Sequence, residues 1–228
     1  MPTAARLQFR LRGFAEHEST DTFIQGASDE VFLSAIGTDS AAVLVGPDHQ
    51  PTLELKHSGT VGDVSEDRVR NPWKQNPHVL LDFDLRRPSD WPRSMAVTLL
   101  LVEEDNQKIG ETFSKLHSEV GGVVRQAAVK AASTAAGALA GAAIGSVIPG
   151  IGTAVGAAVG GIAGATYDVV IEAISEGLKN EAFTPITLTI LVQDPAELGR
   201  HPKIGVPQFV QVGEHGARYT IEYDWHLA

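Results

Sequence analysis

Seven glycines spaced four residues apart constrain this chain more than any other feature. They form two ladders within residues 131–167, on either side of Pro149: Gly137, Gly141, Gly145, Gly152, Gly156, Gly160 and Gly164. Four-residue spacing places glycines on one face of an α-helix, where a second helix can approach backbone to backbone. Because glycine within a helix costs up to ~1 kcal/mol relative to alanine, close packing must compensate. The pattern predicts two helices that pack through their glycine faces and are separated by a break at Pro149 and Gly150.

The two ladders also share one antiparallel register. Facing residues of a hairpin have position numbers with a nearly constant sum, and this holds for Gly145 with Gly152 and for Gly141 with Gly156. The same register continues outward into charged pairs, which are Lys130 with Asp168, Arg125 with Glu172, and Glu119 with Lys179. The sequence therefore predicts a hairpin over residues 108–180, with an ion-paired stem and an uncharged tip at residues 131–167.

The tip has the length of a bilayer core but only moderate hydrophobicity. Each 18-residue arm would be about 27 Å long as a helix, close to the ~30 Å of a hydrocarbon core. Alanine and glycine dominate the tip, and its larger aliphatic residues are Leu139, Ile144, Val147, Ile148, Ile151, Val155, Val159 and Ile162. This composition favours conditional membrane insertion, or burial within protein, over a permanent anchor.

Outside the hairpin, two-residue alternation of apolar and polar residues predicts nine β-strands. The predicted strands cover residues 5–12, 30–36, 41–45, 52–56, 78–85, 95–102, 185–194, 208–212 and 217–225. In the strand at 78–85, Val79, Leu81, Phe83 and Leu85 fall on one face, and Leu80 breaks the pattern. Strands with one apolar face and polar turns are typical of an antiparallel β-sandwich.

The predicted fold class is α+β. It is an antiparallel β-sandwich of about eight or nine strands, C2-like or immunoglobulin-like, that carries the long helical hairpin as an insertion. Neither half of the chain has enough strands to hide its apolar face alone. We therefore expect residues 1–107 and 181–228 to form one discontinuous sandwich domain, interrupted by the hairpin at 108–180.

Four sequence segments carry a resemblance that covers most of the chain. GASDEV near the N-terminus, TLLLVEED before the predicted helices, IPGIGTAVGAAVGG at the bend and ARYTIEYDW near the end resemble a group of largely uncharacterised microbial proteins. That group places a glycine-zipper hairpin within a β-sandwich and implies no particular activity. The hairpin alone is similar to the hydrophobic hairpins of pore-forming toxins and bacteriocins, an architectural analogy.

Charge and composition restrict the partners. Eighteen basic and 28 acidic side chains give a net charge of −10, which argues against nucleic acid because phosphate binding requires a basic face. The chain has no cysteine, so disulfides, thiolate metal sites and cysteine catalysis are excluded. The start of the chain lacks the apolar run of a secretory signal. We expect synthesis in the cytoplasm, followed by export through a non-classical route or delivery to a target membrane.

Acidic side chains in the loops and on one strand provide weak candidates for a calcium site, because Ca²⁺ takes six to eight oxygen ligands. The candidates are Asp29 with Glu30, Asp82 with Asp84, and Asp105 with Glu103 and Glu104. The alternative is that these carboxylates line solvated faces. No other metal or cofactor is expected.

Two loop tryptophans also allow two interpretations. Trp73 and Trp91 lie near Lys74, Arg86 and Arg93. Tryptophan with basic neighbours suits a membrane interface, but such rings more often fold over the edge of a sandwich. Trp225 alternates with polar residues and is expected in the core.

No enzyme motif is present. The eight histidines show no H-E-x-x-H spacing, and G-x-S-x-G is absent. The glycine-rich stretch lacks the Lys-Ser/Thr end of a phosphate-binding loop. The sequence therefore predicts a non-enzymatic protein.

The sequence favours a membrane-active protein, a pore-forming toxin or effector. Its hairpin tip, centred on Pro149, would insert into a lipid bilayer and form a homo-oligomer, with a receptor, delivery or immunity partner. One alternative is a soluble interaction or scaffold protein in which the hairpin only packs within or between subunits. Another is a calcium-dependent lipid-binding module.

Overall fold

The structure is a computed structural model that describes residues 6–18, 30–39, 55–57, 73–86, 91, 93–104, 183–184, 186–214 and 216–228. These residues contain eight strands: β1 (Arg6–Glu18), β2 (Glu30–Asp39), β3 (Leu55–His57), β4 (His78–Asp84), β5 (Arg93–Glu104), β6 (Ile186–Val192), β7 (Gln208–Glu214) and β8 (Ala217–Leu227). A single turn of 3-10 helix, Leu198–Arg200, follows β6. The predicted strand at 41–45 lies outside the described residues.

The strands form two four-stranded antiparallel sheets. Sheet A has the order β4-β1-β8-β7, and sheet B has the order β3-β2-β5-β6. Each sheet combines strands from the N-terminal and the C-terminal parts of the chain, since β1 pairs with β8 and β5 pairs with β6. The apolar positions of both sheets meet in one buried core, whose largest members include Phe9, Phe83, Phe183, Tyr219 and Trp225.

The predicted α+β class is wrong for this structure. The described residues form two antiparallel sheets and include no α-helix, because their alternating apolar positions suit strands with one buried face. The prediction of a helix rested on the glycine-rich segment at 108–180, which lies outside the described residues. The described part of the chain therefore contains no helix that would support a glycine-zipper hairpin, membrane insertion or pore formation.

A β-bulge explains the irregular pattern of β4. Phe9 of β1 opposes Leu81, whereas the next residue, Arg10, opposes Val79, so that Leu80 has no direct partner. The extra residue reverses the alternation. Leu80 is buried and Val79 is 42% exposed, so the prediction that Val79 shares the buried face of Leu81 and Phe83 is wrong.

The two sheets approach closely at Gly37 of β2. A Cβ atom at this position would lie 3.0 Å from Leu81 Cδ1 and 3.0 Å from Phe83 Cζ, both in sheet A. Leu81 and Phe83 are themselves buried, so they have little room to move. Glycine thus sets the distance between the sheets here.

Replacement of Gly37 by alanine should lower the free energy of unfolding by about 1–3 kcal/mol, the usual range for overpacking a core. The matched control is Gly199→Ala, since a Cβ there would have nothing within 4 Å. Urea denaturation monitored by circular dichroism measures both. Equal stabilities of the two variants would contradict the close approach of the sheets.

Candidate interaction edge at strand β7

Strand β7 places an aromatic side chain in solvent. Its sequence, QFVQVGE, alternates so that Val210 and Val212 face the core, whereas Phe209, Gln211 and Gly213 face outward. Phe209 is 66% exposed, and Val206, in the preceding turn, is 48% exposed. Two of the three large hydrophobic side chains that the described residues expose therefore lie within four positions of one another.

The backbone of β7 also has an open side. β7 is the last strand of sheet A, so only β8 pairs with it in the described structure. On the β7 side of β8, the Trp225 carbonyl accepts from the Gly205 N–H at 2.7 Å. Residues at every second position from Trp225, namely Tyr223, Ile221 and Tyr219, therefore also direct their backbone groups to β7, where they oppose Gln208, Val210 and Val212. Bonded and non-bonded pairs then alternate along the ladder. The N–H and C=O groups of Phe209, Gln211 and Gly213 consequently point away from β8, along what we call the open edge.

The other edge strands carry features that discourage pairing. On β6, the Thr189 carbonyl accepts from Lys203 Nζ at 3.3 Å, and the Leu191 carbonyl lies 3.1 Å from His201 Nε2. β4 has its bulge and two aspartates, and β3 is described over three residues. Charged residues, bulges and short strands are the usual protection of sheet edges. β7 has no lysine, proline or bulge, and its only charged residue is the terminal Glu214.

Contacts at both ends hold β7 in place. At its start, Gln208 Nε2 donates to the Lys203 carbonyl at 3.1 Å, and Gln208 Oε1 accepts from the Tyr223 hydroxyl at 3.3 Å. At its end, Glu214 accepts from the Thr184 backbone N–H at 2.5 Å and from the Thr184 hydroxyl. A strand fixed in this way loses little additional conformational entropy when it binds a partner.

A buried carboxylate lies between β8 and β1 on the outer face of sheet A. Asp224 of β8 accepts two hydrogen bonds from Arg10, at 2.9 and 2.8 Å, and one from Arg12 at 2.9 Å. Arg12 Nε also lies 3.6 Å from Glu222 Oε1. Burial opposes ionisation of Asp224, but the two arginines outweigh it and lower the pKa of the carboxyl. Asp224 is therefore ionised and rigidly held.

Acid should destabilise the sandwich through two groups on this face. Burial, followed by the charge of Arg10, lowers the pKa of His226 from its ordinary value. Both folded-state pKa values are depressed, so the unfolded state binds more protons, and stability is lost as the pH falls. The unfolding free energy should decrease below about pH 6.5 through His226 and further below about pH 4 through Asp224.

Asp224→Asn tests this assignment. The variant should be less stable than the parent at pH 7 and should show a shallower loss of stability below about pH 4. Chemical denaturation at a series of pH values provides the measurement. An unchanged slope below pH 4 would contradict the role of Asp224.

A second buried ion pair links β2 and β5 inside sheet B. Arg93 donates from Nε to Asp39 Oδ1 at 3.3 Å and from Nη2 to Asp39 Oδ2. The Arg93 guanidinium carbon also lies 5.6 Å from the centre of the Trp91 ring, within cation–π range. Both members of the pair are almost completely buried. This pair is structural, since neither charge reaches solvent.

Where their side chains are described, the calcium candidates form ion pairs instead of a shared site. Glu30 and Glu104, whose backbones are described, lie opposite each other in the register of β2 and β5. Asp82 pairs with Arg6 at 2.8 Å, and Asp84 pairs with Arg86 at 2.6 Å. The Arg86 hydrogen bonds lower the pKa of Asp84 far below its usual range. Asp29 and Asp105 lie outside the described residues. Within the ranges that are described, no three His, Asp or Glu side chains form a group suited to a metal ion.

The tryptophans of the loops lie against the sandwich. Trp73 and Trp91 are partly buried and pack on the core, and Trp225 is buried within it. This is the arrangement expected of loop rings that fold over the edge of the sheets. The prediction that Trp225 belongs to the core is confirmed.

The predicted membrane-insertion residues and stem pairs lie outside the described residues. This applies to every glycine and aliphatic residue of the two ladders, to Pro149 and Gly150, and to the stem residues Glu119, Arg125, Lys130, Asp168, Glu172 and Lys179. Among the residues that are described, no helix has the length and hydropathy needed to cross a bilayer.

Sequence reasoning predicts β7 as a strand but does not single out its edge. A signal is present, because Val210 and Val212 occupy the inward positions and therefore place Phe209 on the opposite face. The status of β7 as an edge strand depends on sheet order, which local periodicity does not contain. Comparison of the chain with protein-family models, curated proteins and solved structures yields no match.

Proposed function

We propose that this protein is a non-enzymatic interaction protein that binds an extended segment of a partner polypeptide at strand β7. The observation that carries the proposal is the coincidence of Phe209, 66% exposed, with an edge whose backbone groups are unpaired in the described structure. In strand addition, main-chain hydrogen bonds supply affinity and alternate side chains supply specificity. The receptor, delivery or immunity partner expected from the sequence would be a polypeptide of the kind that can bind by strand addition.

The chemistry of the edge defines the segment that it would bind. An added strand would bond to the backbone of Phe209, Gln211 and Gly213, and its outward side chains would lie beside the Phe209 ring. Glu222 is directly opposite Phe209 on β8, and the whole chain carries a net charge of −10. We therefore expect the bound segment to contain an aromatic or β-branched residue and to carry little negative charge.

A displayed library of random linear peptides tests the proposal with the full-length protein as bait. Selected peptides should bind Gln211→Ala about as well as the parent, since the backbone amide is retained. They should bind Gln211→Pro at least about tenfold more weakly, since proline removes the outward N–H. An edge strand tolerates proline where its N–H faces solvent, and circular dichroism checks that the variant folds. Failure to select any binder, or equal binding to both variants, would overturn the proposal.

A further inference from the structure

We infer that the polypeptide bound at β7 is a second copy of this chain, paired antiparallel about a twofold axis at Gln211. This inference rests on the proposed function and names its partner. Gln211 is the middle residue of the seven-residue strand Gln208–Glu214. A twofold axis through Gln211 pairs all seven residues of the strand with the same strand of the second copy. With the axis at Val210 instead, Glu214 would lie opposite Val206 of the second copy, which precedes the strand.

The backbone of β7 satisfies this register. Phe209, Gln211 and Gly213 direct their N–H and C=O groups toward the open edge. With the axis at Gln211, these same residues face one another across the interface, Phe209 opposite Gly213 and Gln211 opposite itself. Bonded pairs recur at every second residue of an antiparallel ladder. Each outward group of the three residues therefore meets a complementary group of the second copy.

The side chains are complementary in size. Phe209, the largest outward side chain of the strand, would lie beside Gly213 of the second copy, which has no side chain to obstruct the ring. The nearest atoms to a Cβ at Gly213 would be the Ala217 carbonyl at 3.6 Å and the Arg218 stem at 3.8–4.0 Å, both within its own hairpin. On the inward face, Val210 would pair with Val212 of the second copy, which extends the apolar row between the two sandwiches.

The same row of residues places a cation next to an aromatic ring. Arg218 is the cross-strand neighbour of Gly213, and Glu222 is the neighbour of Phe209. Across the dimer, Arg218 would be separated from Phe209 of the second copy only by Gly213, which has no side chain. Arg218 is half exposed, and among the described residues its ion-pair partner is the exposed Glu18, at 2.8 Å. Its guanidinium is therefore able to reach the face of the incoming Phe209 ring.

This interface would be isologous and small. A single strand pair buries less surface than a standard stable complex, and the twofold axis uses the same patch on both subunits. We therefore expect a weak dimer whose population depends on protein concentration. Sedimentation velocity of the full chain should show monomer and dimer in exchange, with the dimer fraction reduced by Phe209→Asp.

An engineered cysteine tests the register directly, because the chain contains no cysteine. In the proposed dimer, the two Gln211 Cα atoms would be about 5.5 Å apart, within disulfide range. Gly213→Cys is the matched control on the same face of the same strand. Its two copies would be displaced by four residues, roughly 13 Å apart, and too distant to bridge.

Under oxidising conditions, Gln211→Cys should form at least about tenfold more covalent dimer than Gly213→Cys. The double variant Phe209→Cys/Gly213→Cys should cross-link efficiently, since these two positions face each other. Equal cross-linking at positions 211 and 213 would overturn the inference, as would a wild-type chain that stays monomeric at every concentration. If the dimer fails but peptide binding remains sensitive to Gln211→Pro, the proposed function stands. If neither the dimer nor the peptide binding is observed, the inference and the proposed function are both overturned.

Discussion

Replacement of Arg93 by methionine is expected to lower the free energy of unfolding by about 3–5 kcal/mol, the typical cost of removing one member of a buried ion pair. Arg93 and Asp39 are only 1% and 2% exposed, so water cannot solvate the carboxylate that is left behind. Methionine fills similar volume, and the loss therefore reports the charge rather than a cavity. Chemical denaturation at pH 7 measures the change.

The double variant Arg93→Met/Asp39→Leu is the matched control. When both charges are replaced by apolar side chains of similar volume, no uncompensated charge remains, and such replacements are often neutral. The double variant should therefore be more stable than Arg93→Met alone. A double variant that loses the sum of the two single effects would show that the two residues do not act as a pair.

Truncation of Trp225 to alanine is expected to cost about 3–5 kcal/mol, in the range for large aromatic residues of a core. Trp225 is 1% exposed. Its ring lies 5.2 Å from Phe9 in an edge-to-face arrangement and 6.1 Å from Phe83, measured between ring centres. Trp225 therefore joins β8, β1 and β4, and the pairing of β1 with β8 brings the two ends of the chain together.

Trp225→Phe keeps an aromatic ring and should lose less stability than the alanine variant, because it leaves a smaller cavity. Denaturation should be followed by far-ultraviolet circular dichroism, since the substitution removes a fluorophore. An alanine variant within about 1 kcal/mol of the parent would contradict the central position of Trp225 in the core.

The strands were predictable from the sequence because their alternation is regular. Tyr219, Ile221, Tyr223 and Trp225 are all buried, at alternate positions of β8. The same logic failed at Val79, where the bulge at Leu80 reverses the faces. A bulge depends on pairing with β1, and pairing is a property of the fold rather than of the segment.

The polar core and the candidate edge were harder to predict. Asp39 continues the inward series of Leu33, Ala35 and Gly37 in β2, so its burial had a periodic signal. The pairing of Asp39 with Arg93 had no such signal, since the two residues are 54 positions apart in sequence. Alternation in β8 places Asp224 on the polar face, yet Arg10 and Arg12 cover it because the irregular β1–β8 register places both beside it.

The predicted helical hairpin shows a different limit. Spacing of glycines and charges defines a self-consistent hairpin over 108–180, but the described residues supply sheets and no α-helix. Internal consistency of a helical register shows only that a segment could pack in that way. The proposed function therefore rests on β7, whose neighbours, exposure and hydrogen bonds are described.

Residue-resolved amide hydrogen exchange tests the open edge of β7 most directly. In dilute protein, we predict protection factors at least about tenfold lower for Phe209, Gln211 and Gly213 than for Val210 and Val212, whose amides bond to β8. Protection of the first three should rise at high concentration as the second copy pairs with them. Equal protection of all five amides in dilute solution would contradict the open edge and the proposed function built on it.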